Sequence, residues 1–412
     1  MLDAAVGLYT SPVATRPRLS TRLLLAILSS LIALTAAALL PGSAVATTSP
    51  ACNGKWDRLD VSLPGEGQDL GRVSATSPTN AWLAGYVIKN VGLRTLAMHW
   101  DGASWKVVPT PNSALGEDST FGPILSLSSS DVWAAGDEGG EEIAAHWNGA
   151  EWSLTPITDP DPAIVDLVGL GAASPDDVWA VGRWFPQTGP NRFSASPLIE
   201  HWDGSTWTNT PQPVDGPGEL NGVAVISTDD VWAVGGQTLA TRPHGATLVE
   251  HWDGSAWSVV PSPVRGGSDV ILTDVAARAA NDVWAVGGTR QGFGLAIIEH
   301  WDGMAWTAAS VTGLPRGSLY ALAVSLRGRA WAAGYRYVTK QVPGGSETFP
   351  VGVLDRLRPD GAWVPSPRPK ELVFGGIAAA GHSVLWRVGN EERRDDTGLI
   401  AVKCTRSSPF SG

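Results

Sequence analysis

A short run of the type Val-Trp-Ala-Val-Gly recurs along the chain and constrains its fold more than any other feature. Its Trp falls at seven places, namely Trp82, Trp133, Trp179, Trp232, Trp284, Trp331 and Trp386. Successive members of this series lie 46 to 55 positions apart. A repeat near 50 residues has the length of a four-stranded propeller blade, and seven copies fall within the usual range of blade number. The repeat therefore predicts an all-β, seven-bladed β-propeller of four-stranded antiparallel blades.

The fourth copy shows how one blade is predicted to be built. The first and innermost strand is expected at residues 220–226 and the second at 231–235. The third strand is expected at 248–252 and the fourth at 256–260. Asp253 and Gly254 are expected to supply the positive-φ positions of a tight hairpin turn between the last two strands. Pro261 and Pro263 end the fourth strand, because proline cannot donate to a strand ladder.

A second motif, His-Trp-Asp/Asn-Gly followed by Trp, marks the third strand and the hairpin of the first five copies. Its histidines are His99, His146, His201, His251 and His300. Ring symmetry would spread these residues apart, so we interpret each as bonded inside its own blade rather than as a metal ligand. Trp alternates with small residues along these strands, and Trp rings buried between blades would supply the core. We interpret every Trp except Trp184 as structural.

The seventh copy ends after its third strand, and the missing strand lies at the other end of the chain. Cys52-Asn53-Gly54-Lys55-Trp56 matches the hairpin and fourth strand of the other copies, so residues 55–63 are predicted to complete the last blade. The same alignment places Cys52 and Cys404, the two cysteines of the chain, at one hairpin. In an oxidising compartment they are predicted to form a disulfide that closes the ring; two free thiols are the alternative.

The N-terminus has the pattern of a secretory signal. Three arginines precede an apolar run at 23–40, and Ala44-Val45-Ala46 offers small residues for cleavage. The expected organisation is a signal peptide at 1–46, a short segment carrying Cys52 at 47–54, the propeller at 55–404 and a tail at 405–412. We expect a secreted or cell-envelope protein without stable membrane insertion after cleavage. An uncleaved anchor helix is the alternative, since 18 apolar residues nearly span a bilayer.

The order of these strands and motifs resembles the kelch repeat, in which the second strand ends in Gly-Gly and aromatic residues follow. Gly235-Gly236 and Gly287-Gly288 keep that doublet, whereas the other copies have a single Gly. The resemblance covers residues 55–404 and extends to the central propeller of galactose oxidase. It implies the fold and not the chemistry. A copper-radical oxidase needs a Cys cross-linked to Tyr, and the predicted disulfide engages both cysteines, so we expect no metal and no cofactor.

Charge and motifs exclude several classes of function. The formal net charge is -11, which argues against nucleic-acid binding because that needs clustered Lys and Arg. The sequence contains no Gly-x-Ser-x-Gly elbow, phosphate-binding loop or metalloprotease helix. We expect a monomer that is more simply explained as a binding protein than as an enzyme, although the sequence does not decide between them.

Candidate functional residues lie where the copies disagree. Loops between the second and third strands, and between blades, vary in length and emerge on one face, which we call the variable-loop face; function concentrates in loops held by a rigid scaffold. The candidates are Arg183, Trp184, Arg192 and Phe193 in the third copy, Arg336 and Tyr337 in the sixth, and Glu138 in the second. Their aromatic and guanidinium groups suit stacking on sugars or gripping carboxylates. The alternative is that they are solvated loop residues.

Three functions fit this pattern. The leading hypothesis is a secreted, non-catalytic propeller that binds a glycan or a protein on its variable-loop face. The first alternative is a secreted carbohydrate-active hydrolase or lyase, whose carboxylates would come from Asp137, Glu138, Asp159, Asp161 and Asp269. Two carboxylates about 5–10 Å apart in the central mouth would favour that alternative. The second alternative is a structural envelope protein without a small ligand.

Overall fold

A computed structural model describes residue 50 and residues 52–404 with several gaps. The gaps are 60–66, 91, 113–117, 156, 158–163, 190–191, 215, 240–244, 264–268, 290–293, 310–316, 326–328, 343–344, 359–360, 366–372, 382 and 391–397. The described part of the chain folds into β-strands, with no helix among them. The predicted signal at 1–46 and the predicted tail at 405–412 lie outside the described residues.

The chain enters with one strand of the last blade and then builds blades 1 to 3 in order. The entering strand is β1 (Trp56–Leu59). Blade 1 contains β2 (Gly67–Ser77), β3 (Asn80–Lys89), β4 (Gly92–Trp100) and β5 (Trp105–Val108). Blade 2 contains β6 (Ser119–Ser126), β7 (Val132–Glu138), β8 (Glu141–Trp147) and β9 (Trp152–Thr155). Blade 3 contains β10 (Ile164–Ser174), β11 (Asp177–Phe185), β14 (Ser196–Trp202) and β15 (Trp207–Asn209), with a small ribbon of β12 (Gln187–Gly189) and β13 (Arg192–Phe193) in its loop.

Blades 4 to 7 follow the same plan. Blade 4 contains β16 (Gly218–Ser227), β17 (Asp230–Gln237), β18 (Ala246–Trp252) and β19 (Trp257–Val259). Blade 5 contains β20 (Val270–Ala279), β21 (Asp282–Thr289), β22 (Ile297–Trp301) and β23 (Trp306–Ala308). Blade 6 contains β24 (Gly317–Val324), β25 (Ala330–Val342), β26 (Gly345–Leu357) and β27 (Trp363–Pro365). Blade 7 adds β28 (Val373–Ala380), β29 (Val384–Asn390) and β30 (Gly398–Cys404).

Blade 7 is shared by the two ends of the chain, as the sequence predicts. Its strand order is β1-β30-β29-β28, and Trp56 lies opposite Lys403 in the antiparallel register. Cys52 and Cys404 form a disulfide with Cα atoms 4.5 Å apart, and the Gly54 N–H donates to the Cys404 carbonyl at 2.9 Å. The disulfide and the strand pairing close the ring at the same place. The prediction of seven four-stranded antiparallel blades is confirmed.

Trp rings form the core between neighbouring blades. In blades 1 to 4 and in blade 7, the second-strand Trp contacts the third- and fourth-strand Trp of the next blade, as Trp82 does with Trp147 at 5.5 Å and Trp152 at 5.9 Å between centroids. These contacts also span the closure of the ring, where Trp386 of blade 7 lies 5.2 Å from Trp105 of blade 1. Large aromatic side chains in tilted or edge-to-face contact supply the packing that sheet surfaces of Ala and Val lack.

The five repeated histidines hold the strands of their own blades. In each case Nε2 donates to the side-chain oxygen of the Asp or Asn at or just before the start of the second strand, over 2.7–3.0 Å. Each ring also packs on the second-strand Trp of its blade, with centroids 4.1–4.4 Å apart. These residues therefore belong to the scaffold, as interpreted from their ring-symmetric spacing.

The hairpin between the third and fourth strands differs in one detail from its prediction. Gly254 alone takes a positive φ, of 90°, so the expectation that Asp253 shares this conformation is wrong. Asp253 instead accepts N–H groups from Ser255 and Ala256 on Oδ1, at 2.9 and 3.0 Å. These hydrogen bonds satisfy the turn without placing a side chain in the left-handed region.

A β-bulge interrupts every inner strand near the variable-loop face, and it explains the Gly of the repeat. The bulge falls directly after the residue opposite that Gly, as Leu220 is opposite Gly235 in blade 4. A Cβ atom on Gly235 would lie 1.9 Å from the Glu219 carbonyl oxygen, and one on Gly85 would lie 2.0 Å from that of Asp69. The bulged backbone comes too close for any side chain at this position.

Candidate functional site

A cavity of about 560 Å³ opens on the variable-loop face over blades 1 to 3. Its lining comes from the starts of the inner strands, where Asp69 and Val165 lie, and from the ends of the second strands, where Tyr86 and Phe185 lie. Both strand ends border the variable loops, because inner strands begin and second strands end at that face. The cavity is therefore on the face to which the sequence analysis assigns function. Its size suits a small ligand or a short segment of a larger one.

Apolar side chains form most of the cavity walls. Phe121 and Leu167 are almost fully buried beneath it, and Val165 lies beside them. Tyr86 and Phe185 are partly exposed at its sides. Gly122 also lines the cavity and has open space around its Cα, since a Cβ atom there would meet nothing closer than the Ala135 carbonyl oxygen at 4.0 Å. The walls thus offer aromatic and aliphatic surface to a ligand.

Carboxylates dominate the polar lining of the cavity. Asp69, Asp137, Glu142 and Asp166 all contribute, against one cationic group, Arg72. Asp137 accepts an N–H from Gly140 at 3.3 Å. Burial raises the pKa of Asp137 above its ordinary value, and the negative charges of Asp166, Glu141 and Asp118 raise it further. Like charges are therefore held together here at an electrostatic cost, which is typical of functional sites.

Arg183 lies beside the cavity and is engaged by two carboxylates. Its Nη2 donates to Asp166 Oδ2 at 2.5 Å and its Nη1 to Glu219 Oε2 at 2.6 Å. Asp166 and Arg183 belong to blade 3 and Glu219 to blade 4, so the guanidinium joins two blades. These negative charges raise the pKa of Arg183, although burial acts in the opposite direction. The predicted grip of Arg183 on a ligand carboxylate would compete with both partners.

Arg72 lies where this cavity meets the central channel. The channel has a volume of about 260 Å³ and is lined by the inner strands of all seven blades. Arg72 Nη1 donates to the Tyr320 carbonyl at 3.4 Å and lies 3.7 Å from Asp274 Oδ2. Asp274 accepts N–H groups from Val275 and Leu322, and burial raises its pKa. A side chain of blade 1 thus reaches blades 5 and 6 and obstructs the axis of the ring.

The other residues singled out in the sequence are scattered. Trp184 lies opposite Val165 on β11 and packs, partly buried, against the core between blades 2 and 3. Glu138 ends β7 and accepts a hydrogen bond from the Ser119 hydroxyl at 3.4 Å. Arg192 and Phe193 form β13, whose side chains lie outside the described part of the structure.

The blade 6 candidates lie on a long hairpin of β25 and β26, away from the cavity over blades 1 to 3. Tyr337 stacks edge-on against Tyr335 at 5.1 Å between centroids. Burial raises the pKa of Tyr337 to about 12, and its hydrogen bond with Tyr335 adds to this. Arg336 lies between these two tyrosines in the sequence. The structure therefore does not bring Arg336 and Tyr337 together with the candidates of blades 2 and 3.

The carboxylates expected for an enzyme divide in the same way. Asp137 lines the cavity, whereas Asp269 lies before blade 5 and accepts an N–H from Gly245 at 3.0 Å. Asp159 and Asp161 fall outside the described residues. Among the residues that the structure describes, no group of three or more His, Cys, Asp or Glu could hold a metal ion. Within the same residues, no helix is long and apolar enough to cross a membrane.

Several cavity residues escaped the sequence analysis because they lie inside strands rather than in loops. Asp69, Asp166 and Tyr86 are examples. An alignment of the inner strands would have revealed the first two. In each inner strand, one residue lies opposite the repeated Gly. The residue that precedes it in blades 1 to 6 is Asp69, Thr120, Asp166, Glu219, Ile271 and Ser318. This variability in an otherwise repetitive strand is the signal that could have marked Asp69, Thr120 and Asp166 as cavity-lining positions.

Seven four-stranded blades in a closed ring define the chain as a β-propeller. No protein-family model matches the chain, and no curated protein matches its sequence. Its fold is similar to solved structures of YCF48 bound to D1 peptide (16% identity, TM-score 0.52, covering 88% of this chain and 98% of that one), YCF48 from Cyanidioschyzon merolae (13%, 0.53, 85% and 98%) and U3-55K (10%, 0.55, 84% and 98%). At such identities the likeness shows the fold alone.

Proposed function

We propose that this protein is a secreted, non-catalytic binding propeller that captures a glycan or protein ligand in the cavity over blades 1 to 3. The observation that carries the proposal is the cavity of about 560 Å³ with apolar walls and convergent polar groups. Such a concave site on a rigid scaffold is the usual form of a ligand site. The seven Trp-packed blades supply the rigidity, and the disulfide fixes the ring.

Secretion is part of this proposal. The charged and apolar N-terminal pattern with its Ala44-Val45-Ala46 site supports it, as does the Cys52–Cys404 disulfide, which is typical of oxidising compartments. The spacing of the blade motifs also keeps its resemblance to the kelch repeat. A protein ligand gains support from the use of a similar fold by YCF48, which was solved with a peptide bound.

A pair of Gly→Trp variants tests the proposal. Gly122→Trp would fill the cavity, because the space above Gly122 is open. Gly216→Trp is the matched control, since Gly216 lies outside the cavity and a Cβ atom there meets nothing within 4 Å. The purified proteins would be incubated with soluble and insoluble polysaccharides and with a synthetic peptide library, and capture would be measured by mass spectrometry. Capture lost in Gly122→Trp alone supports the proposal, whereas equal capture by both variants contradicts it.

A carbohydrate-active hydrolase is the second candidate, and the environment of Asp137 favours it. A carboxyl group with a raised pKa beside a second carboxyl group, that of Asp166, could serve as a general acid. The same incubation distinguishes this function, because an enzyme releases shorter products. Product release that disappears in Asp137→Asn would establish the hydrolase, and capture without any product would exclude it for the polysaccharides used.

A further inference from the structure

The charge of the cavity narrows the kind of ligand it can take. We infer that the cavity over blades 1 to 3 binds a Lys or Arg side chain presented by a peptide or protein partner. This inference rests on the proposed function and names the ligand class of the same site. It combines three observations, which are the concave apolar walls, the excess of carboxylates among them, and the prior engagement of the nearby arginines.

The two nearby arginines already form ion pairs or hydrogen bonds with other groups of the protein. Arg183 pairs with Asp166 and Glu219 at 2.5 and 2.6 Å. Arg72 points across the ring axis, where Asp274 and the Tyr320 carbonyl lie within 3.7 Å. An anionic ligand would have to displace these carboxylates and would also meet the negative charge of Asp137. The cavity is therefore poorly suited to a uronate, sulfate or phosphate group.

Asp137 is the carboxylate whose charge a cationic ligand would neutralise. Burial and the negative charges of three neighbouring carboxylates, Asp166, Glu141 and Asp118, raise its pKa. Its Oδ1 accepts the Gly140 N–H over a long 3.3 Å. A partly buried carboxylate crowded by like charges gains most from an opposite charge, because the low local dielectric strengthens that attraction.

The apolar and aromatic walls of the cavity favour a basic side chain over an aminosugar. A Lys or Arg stem is apolar and can lie along Phe121, Val165 and Phe185 while its charged end stays near the carboxylates. Tyr86 and Phe185 can also stack with the cation. An aminosugar has no such apolar stem, because hydroxyl groups are distributed around the ring that carries its amine.

Blocked pentapeptides that differ at one central position test the inference. The peptides would be acetylated and amidated Gly-Gly-X-Gly-Gly with Lys, Arg, norleucine or Glu at X, titrated into the full-length protein by calorimetry. We expect the Lys and Arg peptides to bind at least about 10-fold more tightly than the norleucine peptide, and the Glu peptide to bind most weakly. Asp137→Asn should lower the affinity for Lys at least about 5-fold without affecting the norleucine peptide.

The control variant removes a carboxylate from the same blade at the opposite face. Glu151 is exposed beside the hairpin of β8 and β9, so Glu151→Gln should leave all four affinities unchanged. Thermal melts would establish that each variant is folded. Equal binding of Lys and norleucine, or undiminished Lys binding by Asp137→Asn, would overturn the inference.

Three further outcomes distinguish failure of this inference from failure of the proposed function. If a tetramer of glucosamine binds and the Lys and Arg peptides do not, the peptide assignment is wrong. If none of the basic peptides binds but another ligand is captured in a Gly122-dependent way, the cationic ligand is wrong while the binding propeller stands. If no ligand is captured in a Gly122-dependent way, both proposals fail.

Discussion

A buried Glu at the same position of the repeat differs in hydrogen bonding and in pKa between blades 3 and 4, because its neighbouring side chains differ. Glu200 and Glu250 occupy the same place in β14 and β18, and both are buried. Glu200 accepts a hydrogen bond from Asn209 at 3.1 Å, because Asn209 lies opposite it on β15. Glu250 lies opposite Val259, which has no donor to offer. Burial accordingly raises the pKa of Glu250 to about 7.

This position predicts a pH dependence of stability. The pKa of Glu250 is raised from an ordinary value of 4.5 to about 7 in the folded protein. The contribution of this group to stability is therefore fully present below pH 4.5 and is lost as the pH rises through 7. Between pH 5 and pH 8 we expect the free energy of unfolding of the wild-type protein to fall by about 1–3 kcal/mol because of this group, and we expect Glu250→Gln to abolish that fall. Guanidinium denaturation at both pH values measures it.

Val259→Asn is the companion variant, because it copies the blade 3 arrangement into blade 4. The added amide should hydrogen-bond to Glu250, lower its pKa and so reduce the pH dependence while keeping the carboxylate. If wild type and Glu250→Gln lose stability equally between the two pH values, Glu250 is not the titrating group.

A second residue-scale prediction concerns the Gly of the repeat. Gly235→Ala would place a Cβ atom 1.9 Å from the Glu219 carbonyl oxygen, so the bulge of β16 must shift. We expect a loss of about 1–3 kcal/mol in the free energy of unfolding, as for other overpacked sites. Gly216→Ala is the control, because a Cβ atom there meets nothing within 4 Å. A similar effect of both substitutions on urea denaturation would contradict this account.

Between elements, the ion pairs of Arg183 connect β11 and β10 of blade 3 to β16 of blade 4. Arg183→Ala would leave the Glu219 carboxylate, only 7% exposed, without its guanidinium partner. Since Arg183 itself is about one-third exposed, we expect a moderate loss of about 1–2 kcal/mol. Glu219→Gln in the same protein should recover part of that loss, and a double-mutant cycle of urea midpoints measures the coupling. Additive effects would show that the two side chains do not interact.

The elements themselves were largely predictable from sequence, and their bulges were not. The Val-Trp-Ala-Val-Gly and His-Trp-Asp-Gly runs located the second and third strands, because Trp periodicity and Gly turns are local signals. The local signal of the bulge after Leu220 is the Gly opposite it, and this Gly does not show how β16 meets the inner strands of adjacent blades. Gly222 illustrates this, as a Cβ atom there would lie 2.9 Å from the Asp274 Cα of blade 5.

At the scale of the whole molecule, the cavity depends on residues that are far apart in the sequence. Asp69, Asp137 and Asp166 come from three blades and meet only because the ring brings the inner edges of those blades together. The repeat predicted the ring and the variable-loop face, whereas which loops and strand ends enclose a cavity depends on side-chain size and bulge geometry. The sequence accordingly identified Asp137 but not its neighbours.

Ring closure is the remaining whole-molecule feature, and it rests on short elements. β1 pairs with β30 over four residues, from Trp56 opposite Lys403 to Leu59 opposite Ile400. The disulfide joins cysteines separated by 352 residues, and closing so long a loop restricts the unfolded chain by about 6 kcal/mol in the loop-entropy model. Measured values for disulfides are typically about 2–4 kcal/mol. The bond therefore supports a closure that strand pairing alone would hold weakly.

We expect a Cys52→Ser/Cys404→Ser variant to keep the propeller fold but to lose about 2–4 kcal/mol in the free energy of unfolding. The loss should be local as well, because β1 can fray once the covalent link is absent. Guanidinium denaturation would measure the first effect, and amide hydrogen exchange in β1 and β30 the second. Reduction of the wild-type protein should reproduce both effects, while the double Ser variant should not respond to reductant. Unchanged exchange in the variant would mean that the four-residue pairing and the contact of Trp386 with the Trp rings of blade 1 suffice to hold the ring closed.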